Sequence, residues 1–133
     1  MWGKRTSRDK SIEKAVRDIL KSKAKTCIYI YLLRKKGAKT GQIIKGTKLH
    51  PSTVRETLST MYEAKIIYRK KIKNDNIGKN PFIYFSIPPI ELLKRYAGEM
   101  EDRLNKLASL TASNKIKNFK HVKIKIREEV DNI

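Results

Sequence analysis

A mostly α-helical domain with one small β-hairpin is the fold class this sequence predicts, and three observations predict it. Apolar residues recur at steps of three and four in Ile12, Val16, Ile19 and Leu20, again in Val54, Leu58 and Met61, and again from Ile90 to Leu107. Two short runs rich in β-branched, aromatic and basic residues, Ile66 to Lys73 and Pro81 to Ser86, flank the polar turn 74–80. A hydrophobic content of 39% over 133 residues suffices for one domain with a modest core, plus extensions.

The elements follow in order. Residues 1–10 lack an apolar period and are mostly basic, so they read as a flexible basic arm. A helix is expected from Ser11, whose hydroxyl can cap it, and Lys21 to Lys25 reads as a polar break. The run from Thr26 to Lys36 is apolar on nearly every side; its β-branched and aromatic residues also suit a strand, but a helix enclosed by others in a small α-rich core has this composition, with Gly37 to end it. Thr40 can cap a short helix, 41–47, that buries Ile43 and Ile44.

After Lys48, Leu49 and His50 comes Pro51, suited to the first position of a helix because its missing N–H would have no partner there. In the helix 51–64, Val54, Leu58 and Met61 share the buried face, while Ser52, Thr53, Glu56, Ser59 and Thr60 point away from it, flanked by Arg55. Two helices joined by a tight turn and followed by a basic hairpin are the outline of a winged helix-turn-helix. Small hydroxyls with one carboxylate and one guanidinium make a face slim enough for a major groove and able to hydrogen-bond base edges. The hairpin tip has one apolar side chain, Ile77, so it does not pack inward; Lys70, Lys71, Lys73, Asn76, Lys79 and Asn80, with Lys48, are candidates for backbone phosphates. The domain therefore spans 11–88.

Residues 89–113 form a C-terminal dimerisation helix in this reading, because Ile90, Leu93, Ala97, Met100, Leu104, Leu107 and Thr111 make a heptad seam. The same stripe could fold back on its own domain. In the basic tail 114–133, Val122, Ile124 and Ile126 alternate with basic residues, as in an edge strand or a disordered tail.

Charge sharpens the function. Lys and Arg number 32 against 13 Asp and Glu, a formal +19 that points to a polyanionic partner. The segments 1–25, 26–50 and 51–88 carry +6, +6 and +4, whereas 89–113 is neutral and the tail is +3. A chain basic only for solubility would not drop to neutrality in its most helical stretch, so that stretch reads as a protein contact. The single Cys27 lies in an apolar run and reads as a small core residue. No run approaches the roughly 20 apolar residues of a membrane span, and no cleavable signal is visible, so a cytoplasmic protein is expected. Two His and one Cys without clustered carboxylates offer no zinc site, and no phosphate loop, nucleophile elbow or acid/base pair is present; no metal, no cofactor and no enzymatic activity are expected.

The ordered set Tyr29 to Leu33, Gly37 to Ile43, His50 to Arg55, Ile66 to Arg69 and Tyr84 to Pro89 resembles the TrmB-like branch of archaeal winged helix-turn-helix transcription regulators, with a more distant likeness to the MarR family. The resemblance covers about residues 19–107 and implies a regulator that binds double-stranded DNA through the helix from Pro51. Lys65 stands where such proteins usually have glycine, so the turn either avoids the left-handed conformation or carries a cost of roughly 1 kcal/mol. Larger TrmB-like proteins continue into a sugar-binding domain, which this chain does not reach by Ile133; small-molecule regulation is not implied.

The expectation is a dimeric, sequence-specific double-stranded DNA-binding transcription regulator. Arg55 is the candidate for a bidentate guanine contact, or else for a phosphate contact or ion pair; Glu56 accepts from a cytosine amine or orients a neighbouring Lys or Arg; His50 is a cap or phosphate donor. The alternatives are a low-specificity chromatin-like coating protein, which would not need a polar recognition face, and an RNA-binding or protein-docking winged helix. An RNA reader would expose stacking aromatics, whereas Tyr29, Tyr31, Tyr68, Phe82, Tyr84 and Phe85 mostly fall at core positions.

Overall fold

Helix α2, Lys23–Lys35, is the element around which the N-terminal unit is built. The computed structural model describes residues 6–72, 82–110 and 122–127 and divides the chain into two units, Met1–Pro88 and Pro89–Ile133. In the first, α2 touches α1 (Ser7–Leu20), α3 (Thr40–Thr47), α4 (Pro51–Glu63) and strand β2 (Phe82–Ser86). That is why it is apolar nearly all round: Thr26, Ile28, Tyr29, Ile30 and Leu32 are buried, with Cys27, Tyr31 and Leu33 half-buried between them. Ile43, Val54, Leu58, Met61, Ile67 and Tyr84 complete the core. The fold is a mostly helical winged helix-turn-helix with a two-stranded antiparallel hairpin.

Several boundaries differ from expectation. Helix α1 begins at Ser7, four residues before Ser11, because Thr6 and Asp9 form a capping box: the Thr6 hydroxyl accepts from the Asp9 N–H at 3.1 Å and the Asp9 carboxylate accepts from the Thr6 N–H at 3.1 Å. The Thr6 N–H, then the Thr6 hydroxyl donating to the same carboxylate oxygen at 3.0 Å, and then Arg34 at 3.0 Å hold the Asp9 carboxyl below its ordinary range. Much of the expected arm is thus helical; residues 1–5 lie outside the described residues. Helix α2 starts at Lys23, inside the expected polar break, because the Ser22 hydroxyl caps it by accepting from the Lys25 N–H at 3.2 Å. Thr40 is the first residue of α3 rather than its cap. The cap is Lys39, whose backbone N–H donates to Gln42 at 2.8 Å.

Each of the four helices among the described residues of this unit is followed by a lysine in the left-handed conformation: Lys21, Lys36, Lys48 and Lys65, at φ of 58°, 55°, 58° and 59°. Lys65 therefore does adopt the geometry in which glycine is favoured. A cation beside the free carbonyls of a helix end offsets part of the cost. Glycine is used where space demands it. At Gly37 (φ 108°) a Cβ would run into the Phe85 ring, and at Gly46 into the ring of Tyr31, so α3 lies directly against α2.

Strand β1, Ile67–Lys71, pairs with β2 in the register Ile67 with Ser86, Arg69 with Tyr84 and Lys71 with Phe82. Tyr84 also exchanges backbone bonds with Ala38 at 3.0 and 2.9 Å, which ties the hairpin to the start of the helix-turn-helix. Strand β1 leaves out Ile66 and Ile72 of the expected 66–73, β2 fills the described part of the expected 81–86, and residues 73–81 lie outside the described residues. Of the aromatics assigned to the core, Tyr29 and Tyr84 are buried, Tyr31, Phe82 and Phe85 half-buried, and Tyr68 is 44% exposed, stacked on Phe85 at 5.2 Å. Tyr68 is a correction: it lies on the outer face of a two-stranded sheet, which only one layer of helices covers.

In the second unit, α5 (Pro89–Ser109) carries the heptad residues. Leu93, Leu104 and Leu107 are 42%, 37% and 64% exposed, Ile90 and Met100 are half-buried, and Ala97 is buried. Thr111 lies outside the described residues. The tail segment 122–127 forms neither helix nor ladder, but the Asn105 side chain accepts from the Val122 N–H at 2.7 Å and donates to its carbonyl at 3.3 Å. Glu101 accepts from the Ile124 N–H at 3.2 Å.

Two outcomes follow for stability. Tyr29 donates its hydroxyl to the Ile87 carbonyl at 2.7 Å, and burial pushes its phenol up from 10.0 to about 12. Retaining that proton contributes stability that is complete below the unfolded value and is lost as pH rises through the folded one. Denaturant unfolding of Tyr29→Phe beside the parent will therefore show a gap of about 1 kcal/mol at neutral pH that narrows between pH 10 and 12. Lys65→Gly will raise stability by about 0.5 to 1 kcal/mol in the same assay, because it relieves the left-handed backbone; a loss would mean that the lysine side chain outweighs the strain.

Candidate nucleic-acid interface

The outward face of α4 is set by its start. The His50 ring nitrogen Nδ1 accepts from the Ser52 N–H at 3.2 Å and faces the Ser52 hydroxyl at 2.7 Å, and Pro51 opens the first turn. With Nδ1 accepting, the ring hydrogen sits on Nε2, which points a donor away from the helix; this tautomer follows from the bonding pattern. His50 is thus the cap. Because Val54, Leu58 and Met61 are buried to 2% exposure or less, α4 cannot rotate, and Ser52, Arg55, Glu56, Ser59 and Thr60 are held in the open, with Thr53 half-buried.

These residues are not equivalent. Thr60 donates its hydroxyl to the Glu56 carbonyl at 3.1 Å, and Ser52 is engaged by His50, so both face outward mainly as acceptors. Arg55 and Ser59, one turn apart, line a groove of about 420 Å³ between α4 and the hairpin, together with Thr40, Leu58, Tyr62, Glu63, Arg69 and Tyr84. Glu63 is the one carboxylate among these lining residues, which include two arginines.

The hairpin candidates divide by strand alternation. Lys71 shares a face with Arg69. Lys70 lies on the other, its amine 5.4 Å from the centre of the Phe85 ring, and so does not line the groove. Lys48, exposed, closes α3. Lys73, Asn76, Lys79 and Asn80 lie outside the described residues. Arg69 was not singled out from sequence: its guanidinium carbon sits 4.1 Å from the Tyr62 ring centre and 4.2 Å from that of Phe82, a contact joining α4 to the hairpin. Tyr62 follows Arg55 by seven residues and so shares its face, but the third member becomes visible only with the strand register.

Among the described residues, no group of three or more His, Cys, Asp or Glu is placed to hold a metal ion, and no helix is long and apolar enough to cross a membrane. The surface is built for hydrogen bonding and positive charge.

No family model matches the chain, and no curated protein matches it. Solved structures do. A possible transcriptional regulator from Methanosarcina mazei Go1 superposes with a TM-score of 0.60 at 20% identity, over 77% of this chain and 89% of that one. A MarR family transcription regulator (TM-score 0.48, 20% identity, 79% of this chain and 70% of that one) is a weaker match. So is an apo form of a Lactococcus lactis ZitR mutant (0.43, 17%, 86% of each chain). The first of these likenesses supports the winged-helix fold; at such identities a likeness speaks to fold alone.

Proposed function

We propose that the chain is a sequence-specific double-stranded DNA-binding transcription regulator that acts as a dimer, of the TrmB-like kind its sequence resembles, working in the cytoplasm without cofactor, metal or catalysis. The observation that carries this reading is the α4 face: Arg55, Glu56 and Ser59 stand exposed on a helix whose opposite side is locked in the core. The face belongs to an 88-residue segment of net charge +16. Side chains on rigid helices hold the geometry that base-edge hydrogen bonding needs, and surrounding lysines supply phosphate attraction.

Affinity for duplex DNA will fall steeply with salt, because each neutralised phosphate adds roughly 0.9 to the log-log slope. Arg55→Ala will weaken binding to a preferred site, selected from genomic fragments, far more than binding to random duplex, by about tenfold or more. Lys71→Ala will weaken both alike. Equal loss on both duplexes for Arg55→Ala would make it a phosphate anchor and favour the coating alternative. A shallow salt slope would remove the electrostatic reading altogether.

The dimer rests on α5. Leu93, Leu104 and Leu107 leave an apolar edge open to solvent on a segment with no net charge, so two copies can approach there without the repulsion that the rest of the chain would cause. With Ala97 already buried, the seam consists of Leu93, Met100, Leu104 and Leu107. A two-fold dimer reads an inverted repeat with half-sites a whole number of turns apart. Sedimentation of the full chain will show a dimer, and Leu104→Glu with Leu107→Glu a monomer; an undisturbed dimer in the double variant would locate the contact elsewhere.

A further inference from the structure

The Arg69 contact has a geometry that packing alone does not require. Arg69 is exposed, stands opposite Tyr84 in the hairpin register, and has two aromatic ring centres within 4.2 Å of its guanidinium carbon, Tyr62 from α4 and Phe82 from β2. A guanidinium packed against two rings keeps its N–H edge for a further partner. That edge is a planar fork of donors matching two oxygens of one phosphate. It lines the groove between α4 and the hairpin, with Arg55, Ser59 and Thr40 on the other walls. Holding a long side chain in place before the partner arrives removes much of the ordering cost of binding.

We infer that Arg69, preset by Tyr62 and Phe82, is the anchor for a backbone phosphodiester of duplex DNA lying in the groove between α4 and the hairpin. The inference rests on the DNA-binding reading above and adds a residue and a mode of contact to it. A backbone phosphate fits better than a free anion because the groove is lined along two turns of α4, from Arg55 to Glu63. Arg55, the candidate for base contact, stands two turns before Tyr62 on that helix, so a strand bound through Arg55 would run past Arg69. Glu63 on the same wall disfavours a dianion more than a phosphodiester monoanion.

Duplex binding of the full chain over a range of salt concentrations tests this. Arg69→Ala lowers the log-log salt slope by about 0.9 and affinity by about tenfold, equally on preferred and random duplex. Tyr62→Leu, which keeps the charge and the apolar volume, leaves the slope unchanged and weakens binding by about two- to fivefold. Should Arg69→Ala unfold by circular dichroism, Arg69→Lys replaces it, with the slope kept and part of the affinity lost. An unchanged slope and affinity in Arg69→Ala, or full affinity in both Tyr62→Leu and Arg69→Lys, overturns the anchor. Binding of inorganic phosphate at Arg69 that leaves duplex affinity untouched at constant ionic strength assigns the site to a free anion and overturns the assignment to a backbone phosphodiester. Absence of duplex binding in the parent chain would instead remove the functional reading on which the anchor depends.

Discussion

The fold depends on how Tyr29 fastens the hairpin to the central helix. Its backbone carbonyl accepts the Ser86 hydroxyl at 2.9 Å, and its phenol reaches the Ile87 carbonyl one residue on. A helix interior does not ordinarily offer a carbonyl to a side chain so far away in sequence. Here the bond satisfies a buried serine that would otherwise be costly to desolvate. Fixing the end of β2 in this way fixes Tyr84 two residues earlier, hence its exchange with Ala38 and its pairing with Arg69. The groove beside α4 inherits its shape from that chain of contacts.

Much of this was legible in the sequence because local chemistry and long-range packing agree. His50 and Pro51 mark the start of α4, the period of Val54, Leu58 and Met61 marks its buried side, and the wide apolar content of α2 marks a helix enclosed by others. The start of α1 was hidden because Thr6 and Asp9 sit among basic residues that suggest an arm. A capping box needs only those two side chains, and no apolar period accompanies it. The lysines that end the helices were hidden for a related reason. Glycine is the residue expected in the left-handed conformation, and at Lys21, Lys48 and Lys65 the chain uses a cation that the helix carbonyls partly stabilise.

The candidate interface was legible in part. Sequence periodicity correctly separated the exposed side of α4 from its buried side, but it could not divide the hydroxyls into those engaged within the helix and those free to reach out. Nor could it separate Lys70 from Lys71, since that depends on which face of the strand meets the helices. Arg69 was invisible because its environment combines residues from α4, β1 and β2. A sequence shows each of those elements, but only the register shows that they converge.

The contact between Gly46 and Tyr31 has a mechanical consequence. Where most helix pairs are separated by side chains that can yield, here a ring occupies the place of a missing methyl group, so α3 cannot turn about its axis or slide along α2 without displacing Tyr31. Tyr31 belongs to the same helix as Tyr29, two residues after the carbonyl that accepts from Ser86 in the hairpin. The seat of α3 and the anchor of β2 thus lie two residues apart on one helix, so a substitution that displaces either ring reaches both attachments.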